Sequence, residues 1–214
     1  RTLPWRVAAI LGIGAVGGVL GSLLAPRLSL VLGGLAAVAA GWGLRFRPSP
    51  DAVAWRRGAV GERRTAHLLT PLERYGWAVL HDLALPGSRA NLDHLVIGPG
   101  GVFVIDSKHY RGRLQLDPSG RLWHGRYPLA PALRAVSFEA DQAARVLPDS
   151  GVVVVPIVAI HGAQVPRDKV VTNGVPVMTA RRLPSMLRQL PAALGPEGVA
   201  KLVGEARLRF RAAA

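Results

Sequence analysis

Two apolar runs flank a glycine-rich turn and carry three residues that could do chemistry together. The first run is Leu92-Asp93-His94-Leu95-Val96-Ile97, the turn is Gly98-Pro99-Gly100-Gly101, and the second run is Val102-Phe103-Val104-Ile105-Asp106-Ser107-Lys108. Read as an antiparallel hairpin closed by Ile97 and Val102, paired positions sum to 199, which sets Asp93 opposite Asp106. Side chains so opposed have Cβ atoms about 4.5–5.5 Å apart. Lys108 lies two residues past Asp106 and shares its face. Carboxylates that close repel each other unless positive charge lies between them. A hard divalent cation such as Mg²⁺, held by a few carboxylates and water, fits that requirement.

Lys108 stands out against the composition. The net charge of +14 is carried almost wholly by arginine, and the lysines are Lys108, Lys169 and Lys201 alone. A lysine offers a compact ammonium, an arginine a planar fork. Holding a water or a single oxygen suits the former. The basic balance favours acidic partners, nucleic acid or anionic lipid. The absence of cysteine excludes disulfides and thiolate metal sites. No two of the six histidines have zinc-motif spacing. His94 and His109 alternate away from Asp93 and Lys108 and are expected in packing or at the surface, with a phosphate at the rim as the alternative; His67 is five residues from Glu62 and off its helix face, and His81, His124 and His161 read as isolated.

The elements that must position this hairpin can be read around it. Asp51 is a plausible N-cap for a helix reaching about Leu69, with Glu62 inside it. Residues 77–83 read as a first strand. Residues 112–116 and 122–127 read as a second hairpin around Asp117-Pro118-Ser119-Gly120, a strong turn signal. Residues 133–147 are helix-like. Residues 152–160 are almost continuously apolar, as in a strand buried on both faces. Residues 170–172 and 175–178 suggest an edge strand, and 182–190 and 197–210 terminal helices. The order predicts an α/β fold, a mixed sheet flanked by helices.

The pattern of Gly61-Glu62 on a helix, Asp93 on a strand, the glycine-rich turn and Asp106-Ser107-Lys108 resembles the nuclease-related domain, NERD, of the PD-(D/E)xK restriction-endonuclease-like superfamily. The resemblance runs from about Val60 to about Leu147 and is most specific over residues 91–108. It implies that Asp93 and Asp106 hold Mg²⁺ or Mn²⁺ with the Ser107 carbonyl as a third ligand. Lys108 would orient or activate water and help neutralise the scissile phosphate. Glu62 would reach the metal through a water, and Gln142 would touch substrate or order the site. The chain departs from the pattern in carrying Asp106 where glutamate is commoner and Leu92 in place of proline. The implied activity is phosphodiester hydrolysis in DNA or RNA, with a non-catalytic nucleic-acid-binding or protein-scaffold module as the alternative. Arg111 and Arg113, followed by Arg121 and Arg126 with Tyr110, Trp123 and Tyr127 interleaved, suit contact with nucleic acid.

Mean hydropathy is +0.26, and the apolar excess lies early. Residues 7–25 and 28–44 are uncharged apolar stretches of 19 and 17 residues separated by Pro26-Arg27, within the range for spanning helices. Gly14, Gly18 and Gly17, Gly21 have the spacing that lets helices approach closely in lipid. A signal peptide or a buried hairpin are the alternatives, and a second apolar stretch directly after the first argues against simple cleavage. The expected organisation is a two-helix transmembrane hairpin over 1–47 and a nuclease-like domain over 48–214. Arg1, Arg6, Arg45, Arg47, Arg56 and Arg57 flank the hairpin and only Arg27 lies in its turn, which predicts a multi-pass protein of the cell membrane with its domain cytoplasmic. The basic flank could also contact anionic lipid.

Overall fold

The computed structural model describes residues 29–45, 50–88, 90–147 and 152–212. The chain divides into two compact units between Ala54 and Trp55. In the first, helix α1 (Ser29–Arg45) exposes Val31, Leu35, Val38 and Trp42 by 58–68 %, residues that recur at helical spacing and form one apolar stripe. Among the described residues no helix is long and apolar enough to cross a membrane. The apolar stretch 7–25 lies outside the described residues.

The second unit is built on a mixed sheet. After helix α2 (Pro50–Leu69) and a 3₁₀ turn (Thr70–Tyr75) come β1 (Ala78–Ala84), β2 (Asn91–Gly98) and β3 (Gly101–Leu116), then the short β4 (Leu122–His124) and β5 (Tyr127–Pro128). Helix α3 (Ala130–Val146) leads into β6 (Val154–Gln164), β7 (Lys169–Thr172) and β8 (Val175–Thr179), and α4 (Leu183–Arg188), α5 (Pro196–Arg209) and β9 (Arg211–Ala212) close the chain. The sheet order is β7-β8-β6-β3-β2-β1-β9. β3–β6 and β6–β8 pair in parallel, and the remaining pairs are antiparallel. The expected α/β fold with a mixed sheet between helices is the one observed.

Alternation along the central strands separates two cores. Leu95, Ile97, Val102, Val104, Val158 and Ile160 face α3 and α5, where Leu133, Val136, Ala140, Leu202 and Ala206 are buried. Val96, Phe103, Ile105, Ile157 and Ala159 face the other way, against Leu69, Leu72, Leu183 and Leu187. Both faces of β3 and β6 are thus covered, which is why their sequences read as unbroken apolar runs.

β3 is one long strand, where the sequence suggests a break at Gly112. Its pairing with β6 slips between His109 and Gly112, and Gly112 has φ of +81°. This bulge re-aims the strand without ending it, so the Arg-rich hairpin with β4 is an extension of the central strand.

The β2–β3 turn is clasped from both sides. Pro99 O accepts the amides of Ala193 and Leu194 at 2.7 and 3.0 Å. Gly98 lies under Trp77, where an added Cβ would fall 2.2 Å from ring atoms. Overpacking of a filled site typically costs about 1–3 kcal/mol. Gly98→Ala is therefore expected to lower the unfolding free energy by about that amount in urea denaturation, and an unchanged midpoint would contradict this packing.

Candidate active site

β2 and β3 pair as His94↔Ile105, Leu95↔Val104, Val96↔Phe103, Ile97↔Val102 and Gly98↔Gly101. The ladder stops at the next position outward, where Asp93 and Asp106 stand. There the backbone N–H of Ser107 donates to Asp93 Oδ2 at 2.8 Å, a side-chain contact in place of strand pairing. β2 keeps its pairing with β1 on the other side, at Leu83↔Leu92, but Asp82, across from Asp93, drops out of the ladder with φ of +54°. β3 remains paired with β6 throughout this stretch, Asp106 beside Val158 and Lys108 beside Ile160. The strands part at the carboxylates and are held on their far sides.

Lys108 Nζ donates to Asp106 Oδ1 at 2.5 Å. Asp106 is 5 % exposed, and its second oxygen, Oδ2, is buried with no hydrogen-bond partner. A buried acceptor left without a donor is uncommon and costly. Burial and then the charge of Asp106 push the Asp93 carboxyl up to about 7, against the Ser107 amide, which pulls it down. Burial alone would depress the Lys108 ammonium, but the charge and hydrogen bond of Asp106, and then Asp93, outweigh it and leave its pKa above the usual lysine value. Lys108 is therefore a fixed positive charge rather than a proton acceptor.

Glu139 joins this group from α3 and is not foreseen by the sequence reading. Burial first, then the charges of Asp106 and Asp93, raise its pKa to about 8. It borders the buried stripe Leu133, Val136, Ala140 and Ala143 of α3. An acid adjoining a core stripe, on the helix that follows the two-aspartate hairpin, is the signal that could have found it. Gln142 lies one turn further along α3 and is half-buried, with no hydrogen bond to Asp93, Asp106 or Lys108. Glu62 is half-buried on α2; burial and then Asp82 raise its pKa, Lys108 lowers it and Asp106 raises it. The structure thus brings Glu62, Asp93, Asp106, Glu139 and Lys108 within electrostatic reach of one another.

Arg111 and Arg113 fall beyond this group, at the β3 bulge, and are exposed. Arg113 Nε donates to Gln164 Oε1 at 3.4 Å, and the Arg111 carbonyl meets His124 Nε2 at 2.8 Å. Arg121 pairs with Asp117 at 3.2 Å, and Arg126 lies over the Tyr127 ring at 5.4 Å.

The opposite face under the same strands is polar, and there the histidine expectations change. His81 Nδ1 meets His94 Nδ1 at 2.8 Å, His94 Nε2 meets Ser107 Oγ at 3.3 Å, Ser107 Oγ donates to Thr65 Oγ1 at 2.8 Å, and Thr65 Oγ1 meets His161 Nε2 at 2.8 Å. With Ser107 donating to Thr65, a single order of donors and acceptors serves the row: His81 to His94 to Ser107 to Thr65 to His161. Burial holds His94 down at about 3, so its ring is neutral as this order requires. These histidines come from separate strands, which is why they read as isolated along the chain.

Whether these residues fit a metal turns on the donor set. Among the described residues no three His, Asp or Glu side chains stand close enough to form a ready-made metal cluster. The donors that do converge are carboxylates from Asp93 and Asp106, with an orphaned Oδ2 and raised carboxyl pKa values. That is oxygen chemistry suited to a hard divalent ion that keeps several waters.

Residues 57–161 match the family model described as the nuclease-related domain, NERD. The chain carries a domain of that family, which is of the PD-(D/E)xK kind. An uncharacterized protein of Bacillus anthracis is 30 % identical over 70 residues, 31 % of this chain and 33 % of that protein. The chain thus spans about a third of the length of the curated relative it matches. No solved structure matches it.

A carboxyl whose folded pKa exceeds its unfolded value stabilises the fold below the unfolded value and loses that stabilisation as pH rises through the folded one. With divalent ions chelated, the thermal midpoint of the chain should fall as pH rises from about 4.5 to about 8, the range Glu139 spans. Glu139→Gln should flatten that fall. A variant with the wild-type pH slope would contradict the placement of Glu139 among the aspartates.

Proposed function

We propose that this protein is a membrane-anchored, divalent-metal-dependent nuclease that hydrolyses phosphodiester bonds in DNA or RNA. One observation carries the reading: Asp106 is buried beside Asp93, Glu139 and Lys108 with one carboxylate oxygen lacking any hydrogen-bond donor. The nuclease-related family match supports it.

Asp93, Asp106 and the Ser107 carbonyl would hold Mg²⁺ or Mn²⁺. A bound divalent ion supplies Lewis acidity toward a phosphoryl oxygen and lowers the pKa of a bound water. The Ser107 amide fixes the Asp93 carboxylate, and Lys108 fixes that of Asp106. Lys108, held charged, presents an ammonium to the phosphate oxygens, where negative charge grows during hydrolysis. Glu62 reaches the group from α2, and Gln142, with Arg111 and Arg113 beyond the bulge, would contact the substrate strand.

The anchor reading draws on the apolar stretches 7–25 and 28–44 and on the exposed stripe of α1. The flanking arginines would keep residues from about 48 onward on the cytoplasmic side and could contact anionic lipid. The full chain should stay with membranes through an alkaline carbonate wash, and a chain lacking residues 1–47 should be released. Release of the full chain would end the anchor reading.

Purified full chain in detergent should cleave DNA or RNA with Mg²⁺ or Mn²⁺ and stop in EDTA. Asp106→Ala and Lys108→Ala should each lower the rate by about 100-fold or more, the scale for losing a preorganised electrostatic group. Salt-dependent binding that EDTA leaves intact, with no cleavage under any divalent ion, would instead favour the non-catalytic module.

A further inference from the structure

A cavity of about 700 Å³ opens where β6 and β8 end, beside the C-terminal half of α2. Arg64, His67, His161 and Arg181 line it, and no carboxylate does. Arg64, His67 and Arg181 are exposed, and neither arginine forms an ion pair among the described residues. His161 is 8 % exposed, and Thr65 fixes its Nε2 at 2.8 Å. Because the Thr65 hydroxyl receives the Ser107 proton and gives its own to Nε2, neutral His161 carries its proton on Nδ1. Arg64, Arg181 and neutral His161 therefore each offer an N–H donor at the cavity. A cavity with two guanidinium forks and no carboxylate suits an anionic acceptor, and such forks match phosphate oxygens.

The cavity is tied to the acidic group by chain and by register. Ile160, which lines it, is paired with Lys108, and His161 with His109. Ser107 joins the two places, its hydroxyl bonded to Thr65 and its amide to Asp93. Gly162 keeps the end of β6 close to β3: its φ is +76°, and an added Cβ would fall 2.4 Å from Tyr110 O and 2.8 Å from the His109 ring. So the acids and the arginine-bearing cavity occupy the same end of β3 and β6.

We propose that this cavity is a second phosphate-binding site, which seats a phosphate group carried by a nucleic-acid strand end or by a free nucleotide. It is separate from the acidic group and requires no metal.

The test is binding by the full chain in EDTA, where cleavage is off. The probes are labelled oligothymidylate with a terminal phosphate, the same strand with a terminal hydroxyl, thymidine monophosphate and inorganic phosphate. Wild type should bind the phosphorylated strand, and inorganic phosphate should compete. The double variant Arg64→Ala/Arg181→Ala should lose about tenfold or more in affinity, the scale of one or two charge-assisted hydrogen bonds, with its thermal midpoint kept because both side chains are exposed. Arg181→Glu should reproduce the loss. A preference for the phosphorylated over the hydroxyl strand assigns the strand end. Tight binding of the mononucleotide with no strand preference assigns the free nucleotide. Equal affinities in wild type and both variants for every probe would overturn the site. A chain that cuts nothing in Mg²⁺ yet binds phosphate here loses the nuclease reading and keeps this one.

Discussion

Mutual repulsion among carboxylates at the point where β2 and β3 separate is the constraint that organises this domain. Four of the chain's 13 acidic residues, Glu62, Asp93, Asp106 and Glu139, lie within electrostatic reach of one another, in a chain whose net charge is +14. Among the described residues, Lys108 is the one cation hydrogen-bonded into the group. Burial sharpens the repulsion, because charges removed from water are screened less. The raised carboxyl pKa values express an environment that draws in protons or a cation. Nothing in packing alone calls for such a group: apolar side chains at these positions would extend the core that Leu95, Ile97, Val102 and Val104 already form.

The hydrogen-bonded row beneath the same strands supports this arrangement. A buried polar network is stabilising only if each member is satisfied, and the order from His81 through His94, Ser107 and Thr65 to His161 leaves no intermediate donor or acceptor unmatched. The row crosses β1, β2, β3 and β6 and ties them to α2. Ser107 is the shared member, holding Asp93 with its amide on one side and Thr65 with its hydroxyl on the other. Displacement of β3 by one residue would exchange the polar row with the carboxylates and lose both. The two apolar cores fix the same register, so packing and polar matching specify one alignment.

Much of this was legible in the chain. The hairpin register followed from two apolar runs and a glycine-rich turn, because strand alternation has a period of two and a tight turn leaves little freedom in pairing. The buried character of β6 followed from an unbroken apolar run, and the α2 and α3 helices from their spacing. What was hidden depended on docking between distant segments. Glu139 reaches the aspartates only once α3 lies on the sheet, and helix periodicity does not say which strand positions it will meet. The histidine row draws on strands far apart in sequence. β9 has two residues and no pattern of its own. The bulge in β3 hid the continuity of the strand, since Gly112 resembles the start of a new hairpin.

Lys108 shows where the chemistry of a residue type and the chemistry of its place diverge. Lysine drew notice in an arginine-rich chain as a compact ammonium suited to holding a water or a single oxygen. Here burial pulls its pKa downward, but Asp106 lies 2.5 Å away and Asp93 nearby, and the carboxylates prevail. The ammonium stays charged across the neutral range, so its contribution is a fixed charge and a set of donors. Arginine would carry the same charge, but its planar fork would span more of the pocket and spread that charge over several nitrogens. A compact ammonium can instead bond one oxygen of Asp106 and leave the other, Oδ2, free of donors. The lysine and the orphaned oxygen are two consequences of one geometry, in which Asp106 is half neutralised by the protein and half left open.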